Sequence, residues 1–187
     1  MYEISDIRKN LKIQIDNEPY IVVDYQFVKP GKGNAFTRTR LKNMITGNVL
    51  DRTYKSGEKL EPALLEEQPM QFLYSQDGVY HFMNTETYEQ IEMDESQVGE
   101  AKNYLIENLK VNVLLFNNRP IAVNLPNFVE LQVVETEPGL KGDTVTGGNK
   151  PAIVHTGAKI QVPIFVNNED WIVVDTRTGQ YVERAKK

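Results

Sequence analysis

The sequence predicts an all-β chain folded as three small β-barrel modules in a row. Three observations carry that prediction. Apolar runs such as VNVLLF and QVPIFV are six residues long, which is strand length and far short of a membrane span. They alternate in polarity or are rich in β-branched residues, and Gly, Pro, Asn and Asp punctuate them. One stretch alone, DESQVGEAKNYLIENL, has helical periodicity. A chain of 187 residues with 40% hydrophobic content has room for one medium domain or two to three small ones.

The first module is expected over residues 1–64. LKIQI, PYIVVDYQFV, AFTRTRLKN and NVLDRTYK read as its strands. In AFTRTRLKN, Ala35, Thr37, Thr39 and Leu41 take one face, and Phe36, Arg38, Arg40 and Lys42 take the other. YQFVKPGKGNAFTRTRL is then a hairpin with PGKGN at its tip. Pro30 lacks an N–H and ends ladder pairing, while Gly31 and Gly33 can supply positive φ on either side of Lys32.

EPALLEEQP, with two prolines and three glutamates, reads as a boundary before a middle module over 65–127. QFLYSQDGVYHFM is a hairpin turning at Asp77-Gly78. The helix follows, with Asp94 as cap, Gln97 three residues on, and a stripe of Val98, Ala101, Leu105 and Leu109. Strands with a single helix between them fit a Greek-key barrel of the OB type. A third module spans 128–187, built from VELQVVETE, PAIVHTGAKIQVPIFV, DWIVVD and QYVER, with Trp171 expected in its core. No exact internal repeat is visible.

Charge is distributed unevenly. The net charge is −5, yet residues 1–64 carry +3 and residues 65–127 carry −7. Between Asp24 and Asp51 stand Lys29, Lys32, Arg38, Arg40 and Lys42 with no acid among them. A local basic end on an acidic protein can bind a polyanion while the rest discourages non-specific adhesion. The bland alternative is a solvated edge strand.

Catalytic and metal patterns are weak. GKGNAF lacks the third glycine of a dinucleotide loop and no helix follows it; GLKGDT contains no G-K-[ST]. The two histidines, His81 and His155, have no metal-ligand spacing, and His81 reads as packed in an aromatic strand. Without cysteine there is no disulfide or thiolate site, which fits a reducing, cytoplasmic setting. MYEISDIRKN does not resemble a secretory signal. Glu66, Glu67, Asp94 and Glu95 read as solvated linker or cap acids. The expectation is a protein that is not an enzyme and has no catalytic residue, metal or cofactor.

VKPGKGNAFTRTRLKNMITGNVLDRTYKSGEK, HFMNTETYEQ, PNFVELQVVETEPGLKGDTVTGGNKPAIVHTGAKIQVPIFV and TRTGQYVERAKK, in that order, resemble the bacterial elongation factor P family over the whole chain. The resemblance implies an SH3-like (KOW-like) barrel followed by two OB-fold barrels in an elongated, tRNA-like arrangement. It implies a cytoplasmic, monomeric factor that binds the bacterial ribosome between the P and E sites and does not associate with membranes. There it would position peptidyl-tRNA, stimulate peptide-bond formation and relieve stalling at consecutive prolines.

The resemblance also assigns residues. Lys32 would be post-translationally extended, supported by the loop residues Lys29, Pro30, Gly31, Gly33 and Asn34. HFMNTETYEQ and ETEPGLKGDT are similar to the β-lysylated branch, in which a lysyl-tRNA-synthetase-like ligase adds β-lysine and hydroxylation can follow. Other lysine-bearing lineages carry aminopentanol, and members with arginine at this place are rhamnosylated. Arg38, Arg40 and Lys42 would face RNA. Gly142, Asp143 and Thr144 would lie near the E-site codon of the mRNA, and Tyr181 and Arg184 at an RNA or tRNA contact. An elongation factor P-like paralogue, or a generic OB-fold binder of single-stranded nucleic acid, are the alternatives. Such a binder lines a positive groove with aromatics, whereas the middle module is at −7.

Overall fold

The computed structural model describes residues 1–138 and 148–186. Three sheets account for nearly all of its regular structure, as the strand patterns predict. The first sheet orders its strands β1-β6-β2-β3-β4-β5, with β1 Tyr2–Glu3, β2 Lys12–Ile15, β3 Glu18–Val28, β4 Phe36–Asn43, β5 Val49–Lys55 and β6 Lys59–Pro62. The second orders them β11-β10-β7-β8-β9, with β7 Leu65–Gln76, β8 Val79–Asn84, β9 Gln90–Asp94, β10 Lys110–Phe116 and β11 Arg119–Asn124. The third orders them β14-β13-β12-β15-β16, with β12 Phe128–Thr136, β13 Asn149–Val154, β14 Lys159–Pro163, β15 Trp171–Asp175 and β16 Gln180–Arg184.

The chain groups into two compact units, Met1–Glu67 with Leu114–Ala122, and Gln68–Val113 with Val123–Lys187. In the first, Ile13, Val22, Leu41, Tyr54 and Leu60 lie at the centre of one apolar cluster. In the second, Leu131, Val154, Val162, Ile172 and Val174 are fully buried, and Tyr104, Ile106 and Leu109 pack against them. Met70, Phe72, Phe82 and Met93 fill the face of β7–β9, with the Phe72 and Phe82 rings 5.4 Å apart. Burying each such side chain contributes roughly 1.5–3 kcal/mol.

Two expectations are corrected. The helix is one turn, α1 Glu95–Val98, followed by a 3₁₀ segment over Gly99–Asn103. The cap forms as read, since Asp94 accepts from the Gln97 N–H and Gln97 returns the bond to the Asp94 N–H. Gly99 then takes φ +60°, and the helix stops. Val98, Ala101 and Leu105 are buried all the same, so the stripe is satisfied without a continuous helix. Trp171 is only half-buried. It points from the outer face of β15 and packs its ring 5.8 Å from that of His155. The stretch EPALLEEQP is mostly strand, with only Ala63 and Leu64 between β6 and β7.

The structure also carries a repeat that the letters conceal. The turns β4–β5, β8–β9 and β15–β16 are built alike. Asn43 Oδ1 accepts the N–H groups of Ile45 (2.8 Å) and Thr46 (3.0 Å), and the Asn48 N–H donates to Thr46 Oγ1. Asn84 Oδ1 accepts from Glu86 (2.8 Å) and Thr87 (3.0 Å), and Glu89 N–H donates to Thr87 Oγ1. Asp175 Oδ1 accepts from Arg177 (2.9 Å), and Gln180 N–H donates to Thr178 Oγ1. The fifth residue of each turn is left-handed: Gly47 at φ +79°, Tyr88 at +64° and Gly179 at +76°. In each copy its N–H donates to the carbonyl of the first residue.

Candidate nucleic-acid interface

The alternation in FTRTRLKN is what forms the site. Thr37, Thr39, Leu41 and Asn43 are buried, while Arg38, Arg40 and Lys42 are exposed, residue by residue along β4. Thr37 and Thr39 are tolerated inside because hydroxyls can be satisfied there; Thr39 Oγ1 donates to the Arg52 carbonyl at 2.7 Å. β3 pairs with β4 as far as Val28↔Phe36, and β5 reaches the same level at Phe36↔Lys55. The hairpin is therefore three strands thick up to its loop, residues 29–35.

Lys32 is exposed in that loop and makes no hydrogen bond or ion pair among the described residues. Gly33 takes the left-handed conformation at φ +99°, but Gly31 does not. A Cβ at either glycine would meet nothing within 4 Å, so room is not what requires them. Gly33 is required by its dihedral. Lys29 and Asn34 are exposed and Pro30 is partly covered. At the root of the arm, Asn34, Phe36, Thr53 and Lys55 line a mostly apolar hollow of about 420 Å³.

The basic strand is not a uniform stripe of free charge. Register places Asp24 opposite Arg40 on one side and Asp51 opposite it on the other. Arg40 Nε lies 3.2 Å from Asp51 Oδ1. The two acids that bound the basic run in the sequence thus meet its central arginine in space. The Arg38 guanidinium stands 5.5 Å from the Phe36 ring centre, and that of Arg52 stands 5.3 Å from Tyr54. Burial, the largest influence, raises the Tyr54 phenol above its ordinary value, with Arg52 opposing and Glu58 reinforcing.

Sequence reading passed over Arg52, Tyr25 and Phe27. The last two are exposed aromatics on β3, at 42% and 57%. The alternation of YQFV marks them as sharing a face, and only the pairing with β4 shows that the face emerges from the core there.

In the third sheet, Tyr181 and Arg184 are three apart, which in a regular strand puts them on opposite faces. A bulge between Val173 and Val174 shifts the register, aligning Tyr181 with Val174 and Arg184 with Ile172, and the two side chains still part. Tyr181 packs against the core, and burial, the main cause, raises its phenol. Arg184 reaches outward, with its guanidinium 5.2 Å from the Phe165 ring centre and 4.0 Å from Asp170 Oδ2. Gly142, Asp143 and Thr144 lie outside the described residues. Among the described residues, no three His, Cys, Asp or Glu cluster as metal ligands, and no helix is long and apolar enough to cross a membrane.

Comparison with known proteins agrees with this layout. Residues 3–60 match the elongation factor P KOW-like domain, residues 65–123 the elongation factor P OB domain, and residues 129–184 the elongation factor P C-terminal domain. The chain is 53% identical to elongation factor P 2 of Geobacter sulfurreducens over 186 residues, covering 100% of both. It is likewise 53% identical to elongation factor P of Bdellovibrio bacteriovorus over 187 residues, again covering 100% of both. Among solved structures, a translation initiation factor 5A from Methanococcus jannaschii aligns at TM-score 0.54 with 19% identity, covering 64% of this chain and 88% of that one; this likeness is one of fold. The chain belongs to the elongation factor P family of translation elongation factors.

Proposed function

We propose that this protein binds the bacterial ribosome between the P and E sites and steadies the peptidyl-tRNA there, relieving stalls at consecutive prolines. The observation that carries the reading is Lys32 itself. It is an exposed cation, unpaired among the described residues, at the apex of an arm three strands thick, in a chain of this family. Extended by β-lysine, it becomes a long flexible amine able to reach the phosphates and 2′-hydroxyls of a tRNA end. The protein then supplies no catalytic step of its own. It restrains the substrate, so that the ribosome's reaction reaches its near-attack geometry. Modules over 1–64, 65–127 and 128–187 share the ribosomal RNA, tRNA and codon contacts, and the factor works as a cytoplasmic monomer.

The test is reconstituted translation of two templates, one encoding three consecutive prolines and one encoding none. Modified wild-type protein is expected to speed the first and leave the second unchanged. Lys32→Arg keeps the charge but cannot accept the extension, and it is expected to fail on the triproline template. Equal rescue by Lys32→Arg refutes the extended-lysine mechanism.

A further inference from the structure

The β8–β9 turn differs from its two counterparts at the left-handed position. Glycine holds it in the others, and Tyr88 holds it here at φ +64° with 70% of the residue exposed. Of the described non-glycine residues at positive φ, all are Asn or Asp except Tyr88 and Glu169. A large L side chain in that region is strained. With most of its surface in solvent, Tyr88 gains little from packing to offset the strain. Strain held at an exposed aromatic points to contact with something outside the chain.

The charge around it narrows what that partner is. Residues 60–101 contain ten Asp and Glu and no Lys or Arg. Glu86 and Glu89 flank Tyr88 in the turn, and both are exposed. In the same sheet, Tyr74 on β7, His81 on β8 and Glu92 on β9 stand in one cross-strand row. Tyr74 is 51% exposed and stacks on His81 at 4.2 Å, and Glu92 Oε1 lies 3.7 Å from His81 Nδ1. Aromatic faces rimmed by carboxylates suit guanidinium groups, which stack and pair at once. The same carboxylates repel a phosphate backbone.

We propose that the β8–β9 tip is a docking point for an arginine-rich protein segment, with a guanidinium on the Tyr88 ring and paired with Glu86 and Glu89. The inference rests on the turn and its charge setting, and stands apart from the role of Lys32.

The test uses the full chain and two labelled probes, a peptide of alternating arginine and glycine and a single-stranded RNA of equal length, with binding read by fluorescence anisotropy. Tyr88→Gly leaves net charge unchanged. It is expected to raise the melting temperature by about 3 °C, because the turn relaxes. It is also expected to weaken peptide binding about threefold to fivefold. Tyr88→Phe is expected to keep peptide affinity within about twofold, since a phenyl ring still stacks. Glu86→Gln combined with Glu89→Gln should weaken the peptide and strengthen the RNA. Unchanged peptide affinity in Tyr88→Gly overturns the proposal. So does a lower melting temperature, which makes Tyr88 a packing residue, or tighter binding of RNA than of peptide by the wild type.

Discussion

Arg40 sits between two carboxylates, opposite Asp24 on β3 and ion-paired with Asp51 on β5 at 3.2 Å. Arg38 and Lys42, two residues to either side, have no such partner across β5, where they face Thr53 and Val49. The three cations therefore contribute unequally to any polyanion contact. Removing Arg38 or Lys42 should cut the magnitude of the salt slope of RNA binding by about 0.7 each, the value of one phosphate contact on a single strand. Arg40→Ala should change it less, because its charge is already partly neutralised. Ribosomal RNA fragments titrated at several salt concentrations give the slopes, and three equal decrements would show that the ion pair opens on binding.

Lys32→Ala should leave stability within about 0.5 kcal/mol of wild type, because its exposed side chain has no partner among the described residues. Ribosome affinity should fall only modestly, since on the proposed function one side chain is a small part of the contact surface. Triproline rescue should be lost altogether. Denaturation midpoints, filter binding and the translation assay separate these three quantities.

Gly179→Ala should destabilise the second compact unit by more than the same change at Gly47. Both are left-handed, which alone costs roughly 1–2 kcal/mol for a Cβ-bearing residue. At Gly179 the new Cβ would also come 3.0 Å from the Tyr104 hydroxyl, whereas at Gly47 nothing lies within 4 Å. Urea midpoints measure the difference, and Tyr104→Phe should recover only the steric part in the Gly179→Ala background.

Burial holds the Tyr54 and Tyr104 phenols above their ordinary value of 10.0, with Glu100 adding to the effect at Tyr104. Their folded pKa values exceed the unfolded ones, so the neutral ring favours the folded state. That stability is fully present below pH 10.0 and is lost as pH rises through the folded values above it. Phenolate absorbance should show a late-titrating class that shrinks in Tyr54→Phe. If every tyrosine titrates together near 10.0, the burial explanation is wrong.

Asn43 and Asn84 anchor their turns from buried positions, at 3% and 7% exposure. Each side chain accepts two backbone N–H groups and donates once, Asn43 to Glu18 and Asn84 to Gln68. Asn→Ala at either site should cost about 2–3 kcal/mol, because the turn N–H groups lose their acceptor. Asn84→Asp should cost less, since a carboxylate still accepts, as Asp175 does in the third copy, whereas Asn43→Asp should cost no less than Asn43→Ala, because it sets a buried carboxylate against that of Glu18. Thermal unfolding of the four variants gives the ranking.

How much of this was legible depended on whether the signal was local. The faces of β4 could be read because every second residue is buried, and a period of two survives without tertiary knowledge. The cap at Asp94 could be read because its partner is three residues away. The length of the helix could not, since both a helix and a one-turn helix with a 3₁₀ continuation bury Val98, Ala101 and Leu105. The pairing of Arg40 with Asp51 depends on the register of two strands, and the partners that Tyr181 and Arg184 take on β15 depend on a bulge. Neither leaves a mark in residue spacing. The common turn escaped notice because Asn, Asn and Asp do the same work at its first position, and Gly, Tyr and Gly at its fifth.

The hairpin that carries Lys32 is also a gauge of length. Val22 is the last fully buried residue of β3, and Val23 to Phe27 run on exposed, paired to β4 again from Asp24 onward. Each residue of strand adds roughly 3.3 Å. Two residues inserted into each of β3, β4 and β5 beyond the core would move the tip outward by about 7 Å while every side chain kept its face. One residue in each would move it half as far and turn the basic face inward. The distance between the barrel and the lysine is therefore adjustable only in steps of two, and a shift of a single step is enough to carry an amine past a target the size of one nucleotide.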